Sequence, residues 1–337
     1  MKKAVIVPGQ TGVGALNIRE MEPRKPDESE VRIKVHAASL NFKDIVTIKR
    51  GVSQELIPLS DGAGIVEEVG SRVTGLRPGD RVAGLFFPLW QCGAIDKTKF
   101  GFVRGSVPVD GMLAQSVTGH EDGFVKFPDY LSYEEAATLP CAAVTAWNAL
   151  IVTGKLKPGE TLLVLGTGGV ALFALQLAKK VGARVIVLSS SDEKLQRAGE
   201  LGADEGVNYK QHPDWEKSVL EKTGGHGVDL VLELGGVGTL AKSMASAKIN
   251  GRISMVGVLT GSEGSVNPMP IIRKSLSVNG IYVGSRDMHN QLHNYLEVNK
   301  ISPVIDHVYS MNEVHEAFEF MQKGKHFGKI VLNLDPV

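Results

Sequence analysis

The segment from residue 161 to residue 192, TLLVLGTGGVALFALQLAKKVGARVIVLSSSD, limits the possible folds more than any other part of the chain. Residues 161–165 are a continuous apolar run of strand length, and a glycine-rich turn, GTGGVA, follows at residues 166–171. A helical pattern then runs to Gly182, and residues 184–188 form a second apolar run. This order predicts a strand, a tight turn, a helix and a second buried strand.

A turn of the G-x-G-x-x-A form between a strand and a helix has a specific physical use. Glycine lets the backbone turn tightly and approach a pyrophosphate, whose charge then lies at the N–H groups and the positive dipole end of the helix. A glycine-rich turn in some other α/β domain is the alternative, but the flanking strand and helix favour nucleotide binding. The pattern therefore predicts that a dinucleotide binds at Gly166, Thr167, Gly168, Gly169 and Val170.

Composition limits the class of protein that contains this unit. The chain has 337 residues, of which 43% are hydrophobic and 22% charged, as is typical of a globular protein with two domains. Lys plus Arg and Asp plus Glu number 37 each, which argues against a nucleic-acid partner and favours a small or neutral one. Only two cysteines occur, and no apolar run reaches the length of a signal peptide or a membrane span. We therefore expect a cytoplasmic protein without a membrane partner.

The first part of the chain has the pattern of a small barrel or sandwich. Short β-branched segments are separated by Gly, Pro and Asp, at residues 4–7, 31–37, 64–69 and 81–86. Helical periodicity is scarce until Ser132, which begins a capping box with Glu135.

From Ser132 onward, helix and strand patterns alternate, which predicts a parallel, doubly wound sheet. After the opening unit, the expected strands are residues 205–209, 228–233, 252–258 and 277–283. The expected helices are residues 193–201, 214–222 and 239–248, with another near Ile271. A helix at residues 311–322 and a strand at 329–334 are closer in style to the first part, so we expect a discontinuous domain.

The chain resembles a known family in the same order of motifs. The matching motifs are VRIKVHAASLNFKD (31–44), SDGAGIVEEVG (60–70), RPGDRV (77–82), ATLPCAAVTAWNAL (137–150) and HFGKIVL (326–332). They resemble the medium-chain dehydrogenase/reductase family, in particular its zinc-independent, quinone-oxidoreductase-like branch. The resemblance implies a Rossmann doubly wound parallel sheet inserted in a discontinuous GroES-like β-rich domain, with catalysis in the cleft between the two. The GroES-like substrate domain would contain residues 1–142 and 283–337, and the Rossmann dinucleotide-binding domain residues 143–282.

The resemblance also indicates that no metal is bound. Zinc members hold the catalytic ion with a Cys, a His and a second Cys, and the matching positions in this chain are Asn41, Ser60 and Cys141. A catalytic zinc needs three protein ligands, so one cysteine is not enough. The family's structural zinc loop would fall at about residues 89–107, where Cys92 is the single cysteine. We therefore expect catalysis without zinc.

Cofactor preference is predicted from the end of the second strand of the unit. NAD-binding units usually have an acidic residue about 20 positions past the first glycine, and the matching residue is Ser189, followed by Ser190. Small hydroxyls leave room for a 2′-phosphate that Lys194 would neutralise, so we predict NADP(H) over NAD(H). Alternatively, Lys194 and Arg197 are solvated helix charges and Asp192 binds a ribose. By resemblance, further cofactor contacts are expected at Thr145, Tyr209, Val256, Val283 and Ser285.

Without a metal, hydrogen-bond donors must stabilise the oxyanion or enolate that hydride transfer creates. By resemblance, Asn41 replaces a zinc ligand and Lys43 replaces a proton-relay hydroxyl, so our hypothesis is that Asn41 orients the substrate and Lys43 donates to it. Asp44 and Asp61 match carboxylates behind the lost metal, and one of them is expected to pair with Lys43. Alternatively, Lys43 and Asp44 form a structural ion pair at a helix start. The branch's tyrosine a few residues on is replaced at residues 45–46, which weakens the case for a quinone.

The expected function is therefore a metal-free, NADPH-dependent oxidoreductase that reduces an activated C=C bond in a small apolar enone, quinone or enoyl compound. The first alternative is an NADP(H)-dependent alcohol dehydrogenase or carbonyl reductase of the same family. The second is a catalytically silent protein that binds the cofactor. Residues 277–283 would lie at the edge of the sheet, where the family commonly pairs two chains, so a homodimer is expected.

Overall fold

The computed structural model describes residues 1–336. Its strands, in chain order, are β1 (Lys2–Ile6), β2 (Leu16–Glu20), β3 (Glu30–Ser39), β4 (Asp61–Val69), β5 (Arg81–Gly84), β6 (Ser116–His120), β7 (Phe124–Lys126), β8 (Thr161–Leu165), β9 (Arg184–Ser189), β10 (Glu205–Asn208), β11 (Val228–Glu233), β12 (Ala247–Met255), β13 (Ser277–Gly280), β14 (Ile305–Ser310) and β15 (Lys329–Asn333).

The α-helices are α1 (Phe42–Arg50), α2 (Lys97–Phe100), α3 (Tyr133–Ala136), α4 (Val144–Trp147), α5 (Gly169–Val181), α6 (Asp192–Glu200), α7 (Trp215–Lys222), α8 (Val237–Ser246), α9 (Met269–Arg273), α10 (Arg286–Asn299) and α11 (Val314–Gln322). Two π-helical turns, Leu139–Ala143 and Asn148–Val152, flank α4. Among residues 1–336, no helix combines the length and the apolar character that crossing a bilayer requires.

The chain forms two compact units. The first contains Met1–Val144 and continues from Gly284 to the end of the chain, and the second is Thr145–Val283. The first is built on a mainly antiparallel sheet, in which β14 and β15 pair in parallel, and the second on a parallel one. The expected architecture, a doubly wound sheet inserted in a discontinuous β-rich domain, is confirmed.

In the first unit, the last strand of the chain lies beside one of the earliest. The strand order is β14-β15-β3-β4-β5-β7, with β6 also pairing with β3. Along β3, residues alternate between buried and partly buried positions, with Val31, Ile33 and Val35 in the core, as a strand with one covered face requires. Burial of this apolar face against α1 and α11 holds β15 between β14 and β3.

One helix of this unit lies where the sequence predicted little helix. Helix α1 begins after Asn41, whose backbone N–H donates to the Asp44 carboxylate at 2.8 Å, and it buries Ile45 and Ile48. It ends at Gly51, whose φ of 73° is accessible to glycine at little cost. The start of α1 agrees with the helix start that the sequence analysis left open at Lys43 and Asp44, although nine residues give too few turns for a clear periodicity.

In the second unit, the parallel strands follow the order β10-β9-β8-β11-β12-β13. The chain moves outward from β8 in one direction and from β11 in the other, so the order reverses between these two strands. Ligands of open α/β sheets bind at the carboxyl ends of the strands at such a reversal. Two predicted boundaries were wrong: β12 starts at Ala247 rather than at residue 252, and the edge strand β13 stops at Gly280 rather than at residue 283.

Candidate active site

Strand register brings together three polar residues from distant parts of the chain. Ser39 in β3 pairs with Asp61 in β4 on one side and with Val331 in β15 on the other. The end of β3 therefore lies between the start of β4 and the start of β15. Asn41, Asp61 and Lys329 meet at this corner of the sheet.

Lys329 is the residue of this group to which the sequence analysis gave no role. Its side chain is 4% exposed, and its ammonium donates to the Leu40 carbonyl at 2.6 Å and to Asn41 Oδ1 at 2.7 Å. Asp61 Oδ2 lies 3.9 Å from the same nitrogen. A lysine within the apolar stretch that forms β15 was the available signal, because lysine is almost never fully buried unless it is paired.

The Asn41 side-chain amide has one end that is hydrogen-bonded and one end that is not. Its Oδ1 accepts from Lys329, whereas its Nδ2 has no hydrogen-bond partner among the described residues. The residue is 8% exposed, so water has little access to it. A buried donor without a partner costs about 1–3 kcal/mol, so such a group in a native protein calls for an explanation, such as a catalytic role or a bound water.

The two expected carboxylates have different partners. Asp61 is fully buried, with Oδ1 accepting from the Ser60 hydroxyl at 2.7 Å and Oδ2 accepting from the Cys141 backbone N–H at 3.2 Å. Asp44 is also buried, and this burial raises the pKa of its carboxyl group, while the nearby Lys43 ammonium acts in the opposite direction. Of the two carboxylates, Asp44 is the one that pairs with Lys43, at 3.4 Å from Oδ1.

The Lys43 ammonium makes most of its contacts with backbone oxygens. It donates to the carbonyls of Arg104 and Gly105 at 3.0 and 3.1 Å, and it lies 5.5 Å from the centre of the Phe86 ring. With Asp44 also at 3.4 Å, these groups surround the ammonium. This arrangement corresponds to the structural alternative that the sequence left open for Lys43.

The side chains at the family's zinc-ligand positions do not fit a zinc ion. Ser60 gives its hydroxyl proton to Asp61, and Asn41 directs its oxygen to the Lys329 ammonium. Zinc binds a cysteine as the thiolate, but burial, and next the charge of Asp61, raise the pKa of the Cys141 thiol. Among residues 1–336, no group of three His, Cys, Asp or Glu side chains is arranged to hold a metal.

The predicted phosphate site lies at the start of α5 in the second unit. Gly166 follows β8 with a φ of 85°, and Gly168 is the N-cap residue of the helix. A Cβ atom added to either glycine would meet nothing within 4 Å, so the space in front of the helix N-terminus is open. The free N–H groups of Gly169 and Val170 and the helix dipole make this space suitable for a pyrophosphate.

The residues expected near the adenosine ribose lie at the end of β9. Ser189 is 3% exposed and accepts from the Ser191 N–H, and Ser191 in turn accepts from the Lys194 N–H at the start of α6. Asp192 has both oxygens engaged, accepting from the side-chain amides of Asn208 at 2.8 Å and Gln211 at 2.6 Å.

The remaining expected contacts are spread over both units. Tyr209 is 42% exposed and follows β10, and Val256 follows β12. Thr145 is buried in α4, whereas Ser285 lies in the first unit as the N-cap of α10, accepting from the Met288 N–H. Val283 has a φ of 53°, which is strained for a β-branched residue, and its carbonyl accepts from the Asn148 side chain at 2.8 Å.

A buried glutamate at the strand-order reversal was also missed. Glu233 ends β11, and its Oε1 accepts from the N–H groups of Gly235 and Gly236 and from the Thr239 hydroxyl. Its Oε2 accepts from the Ser243 hydroxyl. The carboxylate therefore holds the loop between β11 and α8 at the carboxyl edge of the sheet. The only signal in the sequence was an acidic residue at the end of an apolar strand.

Both units match established families of protein domains. Residues 27–129 match the alcohol dehydrogenase GroES-like domain, and residues 169–298 match the zinc-binding dehydrogenase domain. A zinc-type alcohol dehydrogenase-like protein of Schizosaccharomyces pombe is 40% identical over 340 residues, which cover 96% of this chain and 97% of that protein. The chain belongs to the medium-chain dehydrogenase/reductase family. It is accordingly an NAD(P)H-dependent oxidoreductase.

Relatives from both the alcohol dehydrogenase and the quinone reductase sides of this family are similar to the chain. Quinone oxidoreductase-like protein 2 of Bos taurus is 32% identical, covering 95% of this chain and 89% of that protein. The crystal structure of a putative alcohol dehydrogenase from Sinorhizobium meliloti 1021 superposes with a TM-score of 0.91 at 39% identity, over 99% of this chain and 100% of that one. Although one family model is described as zinc-binding, the side chains at the corresponding positions of this member do not suit that ion.

Proposed function

We propose that this protein is a metal-free, NADPH-dependent reductase of an activated C=C bond in a small apolar carbonyl compound, such as an enone, a quinone or an enoyl compound. The observation that supports this proposal is the buried Nδ2 of Asn41, a hydrogen-bond donor without a partner among the described residues at a position where zinc members have a ligand. A carbonyl oxygen is the kind of acceptor that would satisfy it.

The chemistry that this donor would assist is conjugate hydride addition. NADPH, when bound, would supply a hydride to the β-carbon and become NADP⁺. The C=C π pair would form a new π bond between the α-carbon and the carbonyl carbon, and the C=O π pair would move to the oxygen to give an enolate. A proton from solvent then adds at the α-carbon. A hydrogen bond from Asn41 to the oxygen is stronger in the enolate than in the neutral carbonyl, which lowers the barrier.

For the cofactor, the engagement of Asp192 supports NADPH over NADH. An acid that selects NAD accepts hydrogen bonds from the ribose hydroxyls, but both Asp192 oxygens already accept from Asn208 and Gln211. Ser189 adds no charge at the end of β9, and the Lys194 side chain supplies a positive charge in the first turn of α6. Although Asp192 and Glu193 also lie in the first turn of α6, a 2′-phosphate would meet less repulsion here than in a site with an acidic residue in place of Ser189.

For Lys43, we propose a supporting role rather than a donor role toward substrate. Its ammonium already contacts two backbone carbonyls and Asp44. Asp44 would orient the backbone of Asn41, and Asp61 would hold Ser60 and the backbone of Cys141.

A carbonyl reductase is the second candidate function. The unpartnered Asn41 donor would also polarise the C=O group of an aldehyde or ketone, and the relative in Schizosaccharomyces pombe is named for alcohol dehydrogenase-like similarity. In that reaction the hydride would add to the carbonyl carbon itself, and the oxygen would need a proton directly.

Substrate profiling separates these candidates. We would measure kcat/KM for cyclohexenone, a benzoquinone and benzaldehyde with NADPH and with NADH, using Asn41→Ala as the comparison variant. We expect cyclohexenone to be reduced with retention of its C=O group. Its kcat/KM should be at least about ten-fold higher with NADPH than with NADH, and Asn41→Ala should lower kcat/KM by about 100-fold. Turnover of benzaldehyde alone would favour the second candidate. NADPH binding without turnover of any acceptor would favour a silent protein, and equal efficiency with NADH would contradict the cofactor proposal.

We also propose that two chains pair through the second unit and that the protein acts in the cytoplasm. Strand β13 is the last in its sheet, and exposed apolar side chains occur in the same unit, including Val258, Ile272 and Tyr282. An uncovered edge strand with apolar neighbours is a common surface for pairing identical chains. Sedimentation equilibrium of the purified protein would give the mass of two chains, and Ile272→Lys would shift it toward one.

A further inference from the structure

We propose that Lys329 is a positioning residue that fixes which end of the Asn41 amide faces the substrate. This inference rests on the proposed function, because it concerns the donor that would bind the substrate oxygen. It assigns a role to a residue that contacts Asn41 across 288 positions of sequence.

The argument begins with the donor and acceptor capacities of the two groups. An amide has an acceptor end and a donor end, and either end could face a given neighbour after rotation by half a turn. A lysine ammonium has protons but no acceptor, so it can bond only to the oxygen end. With Nζ at 2.7 Å from Oδ1, the opposite orientation would put an NH₂ group against an ammonium. Lys329 therefore excludes that orientation and leaves Nδ2 as the free end.

Lys329 is itself held in place. Its ammonium donates to the Leu40 carbonyl at 2.6 Å as well as to Asn41, and the buried Asp61 carboxylate lies at 3.9 Å. Asp61 is the first residue of β4, and Leu40 and Asn41 directly follow β3. Strand β3 pairs with β4 on one side and with β15, which contains Lys329, on the other. Because its ammonium is engaged in this way and its side chain is 4% exposed, it acts through Asn41 rather than on a ligand.

Two consequences follow for the ligand. A cation bonded to Oδ1 polarises the amide, which makes Nδ2–H a stronger donor than in a free asparagine. The corner of the sheet then selects an acceptor oxygen, such as a carbonyl or an enolate, and disfavours a ligand that presents an N–H donor at this point. The chain thus obtains an oriented and polarised donor without a metal.

A double-mutant cycle tests the coupling. We would measure kcat/KM for cyclohexenone at saturating NADPH in Lys329→Met, Asn41→Ala and the double variant. We expect Lys329→Met to lose about 100-fold, mainly in kcat, and the double variant to be no worse than Asn41→Ala alone. A loss from Lys329→Met that is the same in the Asn41→Ala background as in the wild type would overturn the proposal.

A matched lysine controls for loss of structure. Lys274 donates to the carbonyls of Met244, Ala245 and Ala247 in the second unit, so Lys274→Met also removes an ammonium that holds backbone oxygens. We expect it to lower the melting temperature with less than a three-fold change in kcat/KM. If Lys329→Met does not fold, Lys329→Gln replaces it in the cycle, since a glutamine amide can bond to either end of the Asn41 amide and no longer excludes the opposite orientation.

A second measurement does not depend on turnover. In protein labelled with ¹⁵N-asparagine, the side-chain NH₂ signals of Asn41 are identified by their loss in Asn41→Ala. We expect these signals to move in Lys329→Met and to stay in place in Lys274→Met. Signals that are identical in wild type and Lys329→Met would contradict the positioning role. If the wild type reduces no acceptor, the proposed function fails, and this measurement still decides the role of Lys329.

Discussion

Replacing Lys43 by methionine distinguishes a structural lysine from a catalytic one. The ammonium donates to the Arg104 and Gly105 carbonyls, and it lies 3.4 Å from the buried Asp44 carboxylate. Hydrogen bonds from a charged donor contribute roughly 1.5–3 kcal/mol each, and the lower end applies because the Lys43 side chain is partly exposed. Losing two of them should lower the free energy of unfolding by about 3 kcal/mol.

This loss converts to a measurable shift in melting temperature. For a unit of about 200 residues, 1 kcal/mol corresponds to roughly 2–4 °C, so we expect a decrease of about 6–12 °C in Lys43→Met. Below that transition, kcat/KM should stay within ten-fold of the wild type, because the ammonium bonds to the loop rather than to the substrate. Differential scanning calorimetry measures the melting temperature, and steady-state kinetics at roughly 25 °C measure kcat/KM.

Lys49 provides the control, since it lies exposed in the same helix α1. We expect Lys49→Met to change the free energy of unfolding by less than about 0.5 kcal/mol. An unchanged melting temperature in Lys43→Met together with a loss of kcat above 100-fold would refute the structural role. Such a result would restore Lys43 as the donor to the substrate.

Two further predictions concern the phosphate site and acid stability. Gly168→Asp places a carboxylate in open space at the N-terminus of α5, so we expect the NADPH dissociation constant, measured by fluorescence titration, to rise by more than ten-fold while the melting temperature stays the same; unchanged affinity would show that the pyrophosphate binds elsewhere. Burial lowers the pKa of His293 in α10 to about 4, so the folded state resists a proton that the unfolded chain accepts below about 6.5. The free energy of unfolding should therefore fall by about 2 kcal/mol from about pH 7 to pH 5 through this residue. Urea titrations at both pH values measure this decrease, which should be about 2 kcal/mol smaller in His293→Gln than in the wild type. An equal decrease in the two proteins would contradict the assignment.

The sequence predicted the second unit well because local patterns determine most of it. An apolar run, two glycines and a helical stripe identify β8, the turn and α5 within about 20 consecutive residues, and the strand and helix patterns that follow predict the parallel sheet. The end of α5 at Gly182 was also predicted, since a φ of 90° at this position favours glycine. The limits of β12 and β13 were less accurate. Strand β12 begins within the stretch AKING, which has no strand-like apolar pattern, and apolar composition continues past Gly280, the last pairing residue of β13.

The first unit depended more on contacts between distant residues. Asn41, Asp44 and Asp61 were identified as candidates through family resemblance, but the sequence did not indicate which carboxylate pairs with Lys43. Helix α1 entered the sequence analysis only as a helix start at Lys43 and Asp44, because it is short and its stability comes from packing Ile45 and Ile48 into the core rather than from a long periodic pattern.

The sequence by itself determined the order of elements and the position of the phosphate turn, because both depend on residue types that are close in the chain. The residues at the zinc-ligand positions were identified through family resemblance. Only the tertiary structure decided which side chain contacts Asn41, the residue at one of the zinc-ligand positions. Lys329 reaches Asn41 because β15 pairs with β3, and that register is set by the burial of apolar faces over the whole sheet. The resulting hydrogen bond at 2.7 Å joins two residues whose local sequences give no indication of each other.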